Sequence, residues 1–203
     1  MKTEIIGLLS GLLVILSIVP YAMRTAQRKV KPVLVRWLLW TIIGFAILIT
    51  YKSSGAEDSI WPAVFGFTNP LIITCLLFKQ GGRLGKISRA EKRCLIVGLI
   101  SLIMWEFLRH DKSLAQFSLY TAMIADLFAA VPTFMFLWKN PEEDLPFAWS
   151  LYAIGYGLAI FAIRENTFAN YVLPVYMCIG SSSIASILIA YRIKNSVPLK
   201  EWI

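Results

Sequence analysis

The chain has 203 residues, of which 58% are hydrophobic and 16% charged, and its mean hydropathy is +0.67. A soluble domain carries about a quarter of its residues as charges, so this apolar surplus has to face something other than water. The net charge of +8 does not point to nucleic acid, because the basic residues are segregated by loop rather than pooled in one patch.

A helix needs about 20 apolar residues to cross a bilayer core of about 30 Å. Seven runs approach that length: approximately Glu4–Met23, Pro32–Tyr51, Ile60–Phe78, Arg93–Phe107, Leu114–Trp138, Pro146–Ile163 and Tyr171–Ile193. The expectation is one polytopic, all-α membrane protein with no separate soluble domain. The first run superficially looks like a signal peptide, with Lys2 ahead of it and small residues near Ala22. It is too long for an h-region, and no small-x-small site follows it cleanly, so it is expected to remain as the first span.

Run 1 carries Gly7 and Gly11, a spacing that lets helices approach closely in lipid. Pro20 lies about a turn from its end and removes a backbone hydrogen bond there. A basic loop follows. Run 2 is expected to begin at Pro32, where a missing N–H costs nothing. Trp37, Trp40 or Thr41, and Gly44 share one face of it. Trp37 is shallow enough to be an interfacial aromatic; Trp40 lies deeper. Run 3 opens on Trp61-Pro62 and holds Asn69-Pro70 at its middle, where an amide must bond a neighbour or face a wet cavity. Asn69 is read as facing a cavity. The basic segment Lys79–Arg93 is the main shift in composition and is read as a linker between halves. Run 4 ends near Glu106 and His110. Run 5 holds Asp126 near its midpoint; burial disfavours a charged carboxylate, so such a group can carry a proton. Run 6 starts at Pro146 and aligns Trp149, Tyr152 and Tyr156 at i, i+3 and i+7. Run 7 brings Pro174, Tyr176 and Gly180 followed by Ser181, Ser182 and Ser183.

The stretch from Pro20 to Trp37 has a counterpart from Pro132 to Trp149, at an offset of 112 that also carries Pro62 onto Pro174 and Trp40 onto Tyr152. A duplicated unit of three helices is the expected cause. Run 4 has no counterpart, and an odd linking helix gives both triplets the same orientation. The fold expected is seven transmembrane helices as two parallel three-helix bundles joined by a linker helix: residues 1–80, then the linker at 81–112, then 113–203. The loops after runs 1, 3 and 5 and the tail hold fifteen Lys and Arg; the opposite side holds five. The positive-inside rule then puts the N-terminus outside and the C-terminus in the cytoplasm, with the plasma membrane as the expected location.

Catalytic material is scarce. With His110 the single histidine, a Ser-His-Asp triad or a His metal site has nothing to build on, and GxGxxG, P-loop and HExxH motifs are missing. Run 7 has no internal lysine for a retinal Schiff base. Cys75, Cys94 and Cys178 match no metal spacing and are read as small buried thiols. Neither an enzyme nor a cofactor is expected. Proline-hinged helices, aromatic stripes and midplane polar groups suit a pathway for a small solute, whose site would lie near the midplane between parallel repeats.

These residues resemble the PQ-loop and SWEET (MtN3/saliva) superfamily. In the second half, Lys139, Pro146-Phe147 and Ser150-Leu151 are similar to the SWEET loop from a lysine to Met-Pro-Phe-x-x-Ser-Leu. In the first half, Pro20, Arg24-Thr25 and Pro32 are similar to the Pro…Arg-Thr…Pro pattern. The glutamine of the PQ pair is replaced by Tyr21 and Thr133, and the SWEET asparagine pair has one candidate, Asn69, opposite Ser181. The resemblance implies an alternating-access carrier for a sugar, vitamin or amino acid. Asn69 and Ser181 would bind the solute, Trp40, Tyr152 and Tyr156 would stack on it, and Asp126 would carry any coupled proton. Pro20, Pro62, Pro132 and Pro174 would serve as hinges. The partners expected are a small-molecule substrate and the lipid bilayer, with a homo-oligomer left open and no nucleic acid. The alternative is a non-transporting receptor or assembly factor on the same fold.

Overall fold

The computed structural model describes residues 2–28, 32–82, 87 and 89–202. Among them there is no strand. The α-helices are α1 (Lys2–Ala26), α2 (Leu34–Ser53), α3 (Trp61–Lys79), α4 (Arg89–Leu108), α5 (Lys112–Lys139), α6 (Pro146–Ala159) and α7 (Phe168–Lys194). Lys29, Lys31, Arg83 and Lys86, which enter the charge count, lie outside the described residues.

By length and composition, five helices can cross a membrane: α1, α2, α3 with the turn before it, α5 and α7. The other two fall short for different reasons. α4 opens on Arg89, Glu91, Lys92 and Arg93. α6 has 14 residues, a rise of about 21 Å at 1.5 Å each, which a 3-10 turn extends through Ala162.

Burial in α1 is inverted relative to a soluble helix. Its inner face is Gly7, Ser10, Gly11, Val14 and Ser17, while Leu8, Leu9, Leu12 and Leu16 lie outside. Leu12 is 49% exposed and Ser10 is fully buried. Small residues let backbones approach, and large apolar ones face an apolar medium. α4 and α5 likewise turn Ile96, Ile103, Phe128 and Met135 outward. A face this apolar would be unstable against water.

Helix contacts form a closed ring in the order α1, α3, α2, α5, α7, α6 and back to α1. α4 lies outside it, packed on α5 and more lightly on α2. The ring is tightest at α1–α6. A Cβ on Gly155 would fall 2.7 Å from Val14 Cγ2 and 2.8 Å from the Ser10 carbonyl oxygen, so only glycine permits this approach. Elsewhere α5 meets α7 more sparingly than α1 meets α3.

The offset of 112 reappears in the packing. Trp37 packs on a cluster of Leu34, Ile73 and Leu77 with Ala22 and Leu76. Trp149 packs on Leu137, Ile184 and Leu188 with Phe134. The offset carries Trp37, Ala22 and Leu76 onto Trp149, Phe134 and Leu188. It also carries Gln80 onto Arg192. Gln80 Nε2 donates to the Thr25 carbonyl at 2.9 Å, and Arg192 Nη2 donates to the Asp144 carbonyl at 2.9 Å. In each case the residue ending one helix ties down the chain leaving another.

Three boundaries differ from expectation. α2 starts at Leu34, because Val33 is extended at its N-cap and Pro32 lies before it. α4 starts at Arg89, so part of the basic segment is helical. Pro62 falls in the first turn of α3, where no intrahelical bond is lost; it is not a hinge. Pro20, Pro132 and Pro174 do lie inside α1, α5 and α7, and Pro70 lies inside α3.

Candidate functional site

Asp126 is 6% exposed on the inner side of α5. The Tyr176 hydroxyl of α7 donates to its Oδ2 at 2.8 Å, which bridges the sparsely packed α5–α7 pair. Oδ1 accepts no hydrogen bond among the described residues, and no cation there pairs with the carboxylate. Tyr152 and Tyr156 of α6 lie within electrostatic reach of it.

Those two rings pack at 5.0 Å between centroids. Their hydroxyls reach α3 beside Gly66, where an added Cβ would lie 2.7 Å from the Tyr156 oxygen and 3.0 Å from that of Tyr152. Tyr156, 2% exposed, also donates to the Pro62 carbonyl at 3.2 Å. Trp40 is half-buried on α2. The structure thus sets Asp126 against Tyr176, with the paired Tyr152 and Tyr156 in electrostatic range of the carboxylate. Tyr176 stands in the sequence only as a neighbour of Pro174; its partner is 50 residues away on another helix, and no local spacing signals it.

Asn69 does not face a cavity. Its Nδ2 donates to the Val14 carbonyl at 2.9 Å and to Ser17 Oγ at 3.3 Å, so the amide fastens α3 to α1. Its Oδ1 is buried without a partner. Ser181 is buried at 4% exposure on α7 and bonds nothing among the described residues. An open groove of about 350 Å³ between α6 and α7 is lined by Gly157, Phe161, Cys178 and Ser182 among others; it contains none of the expected site residues. Cys94 is buried and Cys178 partly so, but Cys75 is exposed on the outer face of α3, contrary to a buried reading. Among the described residues no three acidic, histidine or cysteine side chains group to hold a metal.

The two ends of the ring differ. At the end that holds the start of α1, four hydrogen bonds among the described residues join 1–80 to 113–203. Arg164 Nε donates to Asp58 Oδ2 at 2.7 Å and its Nη1 to Glu57 Oε2 at 3.1 Å. Tyr51 donates to the Asn170 carbonyl at 2.9 Å, and Tyr156 to Pro62. Lys112 and Glu165 pair nearby at 3.1 Å.

At the other end, Tyr21 and Trp37 rings meet at 5.1 Å, and the Trp149 indole donates to Asp144 Oδ2 at 2.9 Å. Burial pushes the Asp144 carboxyl above its ordinary value, against the opposing pull of the Trp149 indole, the Leu145 N–H and the Arg192 charge.

No family model matches the chain, and no curated protein or solved structure matches it either.

Proposed function

We propose that the protein is a seven-helix membrane carrier that moves a small polar solute by alternating access. Its two bundles would be α1–α3 and α5–α7, joined through α4 in a 3+1+3 arrangement. The N-terminus would lie outside the plasma membrane and the C-terminus in the cytoplasm. The observation that carries this reading is the six-helix ring tied between its halves at one end by Arg164, Tyr51 and Tyr156. A carrier needs ties that close one end and can release. Exposed ion pairs are weak and salt-screened, and Arg164 and Glu57 are both about half exposed.

In this reading the state described is closed on the outside. The solute would bind among Trp40, Tyr152, Tyr156 and Ser181, with Asp126 as the proton-coupling group and Tyr176 orienting it. Asn69 would serve as a brace within the first bundle. Pro20, Pro132 and Pro174 would let helices flex as the halves rock. α4 and α6 would cross despite their charge and shortness, because each is packed along longer neighbours.

Uptake into proteoliposomes of a panel of sugars, vitamins, amino acids and amines tests the reading. Saturable uptake of one class, abolished by Tyr152→Ala, is the expected result. If the panel moves no faster than in empty vesicles, the carrier reading fails and the receptor reading takes its place.

A further inference from the structure

Asp126 is an acidic group with half of its hydrogen-bonding capacity unused and, among the described residues, no cation paired with it. Tyr176, a neutral phenol, occupies Oδ2. Among the described residues, the titratable group in contact with the carboxylate is Tyr176 on α7, and those in electrostatic range of it are Tyr152 and Tyr156 on α6 and Cys94 on α4. The basic residues described on α5 and α7 sit at the helix ends: Lys112, Lys139, Arg192 and Lys194. A buried carboxylate with no counter-charge is costly as an anion, and in an apolar setting it is neutralised by a proton or by a bound cation.

We propose that Asp126 and its tyrosines form a recognition site for a small organic ammonium solute, which exchanges against a proton on the same carboxylate. The proposal rests on the carrier reading and names its solute class. The Tyr176 ring against the carboxylate, with the stacked Tyr152 and Tyr156 rings in electrostatic range, supplies faces that attract an organic cation, while the carboxylate supplies the charge. A sugar would use neither the charge nor the lack of a counter-ion. A hard metal ion takes six or more oxygens, and one carboxylate with one phenol cannot offer them.

Charge balance sets the exchange. With a proton on Asp126 the site is neutral; with an ammonium against the ionised carboxylate it is neutral again. Each solute that enters therefore displaces one proton, which leaves to water through the open end. When the solute departs, the proton returns before the halves rock back.

The test uses the purified full chain with choline, ethylammonium and phenethylammonium. The neutral 3,3-dimethyl-1-butanol serves as the uncharged match for choline. Binding by calorimetry is expected for at least one cation, and for choline more than tenfold over its neutral match. Affinity should fall as the pH is lowered and protons compete, a dependence that choline, with its permanent charge, cannot itself supply. Asp126→Asn should weaken binding at least tenfold and remove the pH dependence. Asp126→Glu should recover part of both, and Tyr176→Phe should weaken binding severalfold while leaving the pH dependence in place. Thermal melts show whether each variant is folded.

If no cation binds the folded protein, the proposal is overturned. If Asp126→Asn binds choline as the parent does, it is overturned as well. Cation binding that needs Asp126, without proteoliposome uptake, leaves the site standing and removes the carrier. Uptake of a neutral solute that is indifferent to Asp126→Asn does the reverse.

Discussion

Gly155 shows how much one missing methyl can decide. Val14 and the Ser10 carbonyl stand where its Cβ would be, and the Ser10 side is backbone that cannot swing away. Gly155→Ala is expected to destabilise the fold by about 1–3 kcal/mol through overpacking, read as a lower thermal midpoint in detergent. Gly180→Ala, whose Cβ would meet open space, should leave the midpoint unchanged. Individual side chains were unevenly legible in the sequence. Asp126 stood out because a carboxylate mid-run has few innocuous explanations. Asn69 was misread because an amide has two uses at that depth, and the choice depends on α1 lying within 2.9 Å. Tyr176 was passed over because its role comes only from the crossing of α5 and α7.

At the scale of helices, runs of apolar residues located each α-helix among the described residues, since burial and lipid exposure both demand the same composition. Their ends were less legible. Pro32 favours a helix start, but Val33 is extended and the helix waits for Leu34. Proline position separates hinges from caps. Pro20→Ala restores a bond inside α1, so a more heat-stable protein is expected in melting assays and, on the proposed carrier reading, a slower one in uptake assays. Pro62→Ala, in a first turn, should alter neither. The turn between α5 and α6 has a pH signature. A folded-state carboxyl held above its ordinary value keeps a proton that the unfolded chain gives up, so Asp144 contributes stability that is present in acid and lost as the pH rises through its folded value. Midpoints measured across and above the ordinary carboxylate range should fall with pH in the parent and fall less in Asp144→Asn. A steeper fall in the variant would contradict the burial of Asp144.

For the whole molecule, the offset of 112 carried more than any single motif. It pairs the Trp37 and Trp149 clusters and the matching ties of Gln80 and Arg192. What it could not foresee was the order of helices around the ring, which is set by which small faces meet. The four bonds at one end make a population prediction. Arg164→Gln removes the two to Asp58 and Glu57, so the halves should part there more often. Spin labels at Lys52→Cys and Phe168→Cys, in a background without the native cysteines, should show a longer and broader distance distribution in that variant. High salt should move the parent in the same direction, because Arg164 and Glu57 are about half exposed. Identical distributions would mean that Arg164 does not hold this end closed.

The close pair Val14 and Gly155 has a counterpart of quite different composition. An offset of 112 carries Val14 onto Asp126, and Gly155 back onto Ile43, fully buried on α2. One seam, α1 with α6, is therefore zipped by a glycine, and the other, α2 with α5, is propped at the equivalent positions by bulkier residues, the branched Ile43 and the acid Asp126. α4 leans on the propped seam alone, touching α5 and α2 together. In the carrier reading proposed above, the molecule would be hung like a door: a stiff spine along α1 and α6, a swinging edge along α2 and α5, and α4 as the handle outside. On that reading, a rigid binder that clasps α4 and α2 in one grip would stall the swing without ever touching the carboxylate.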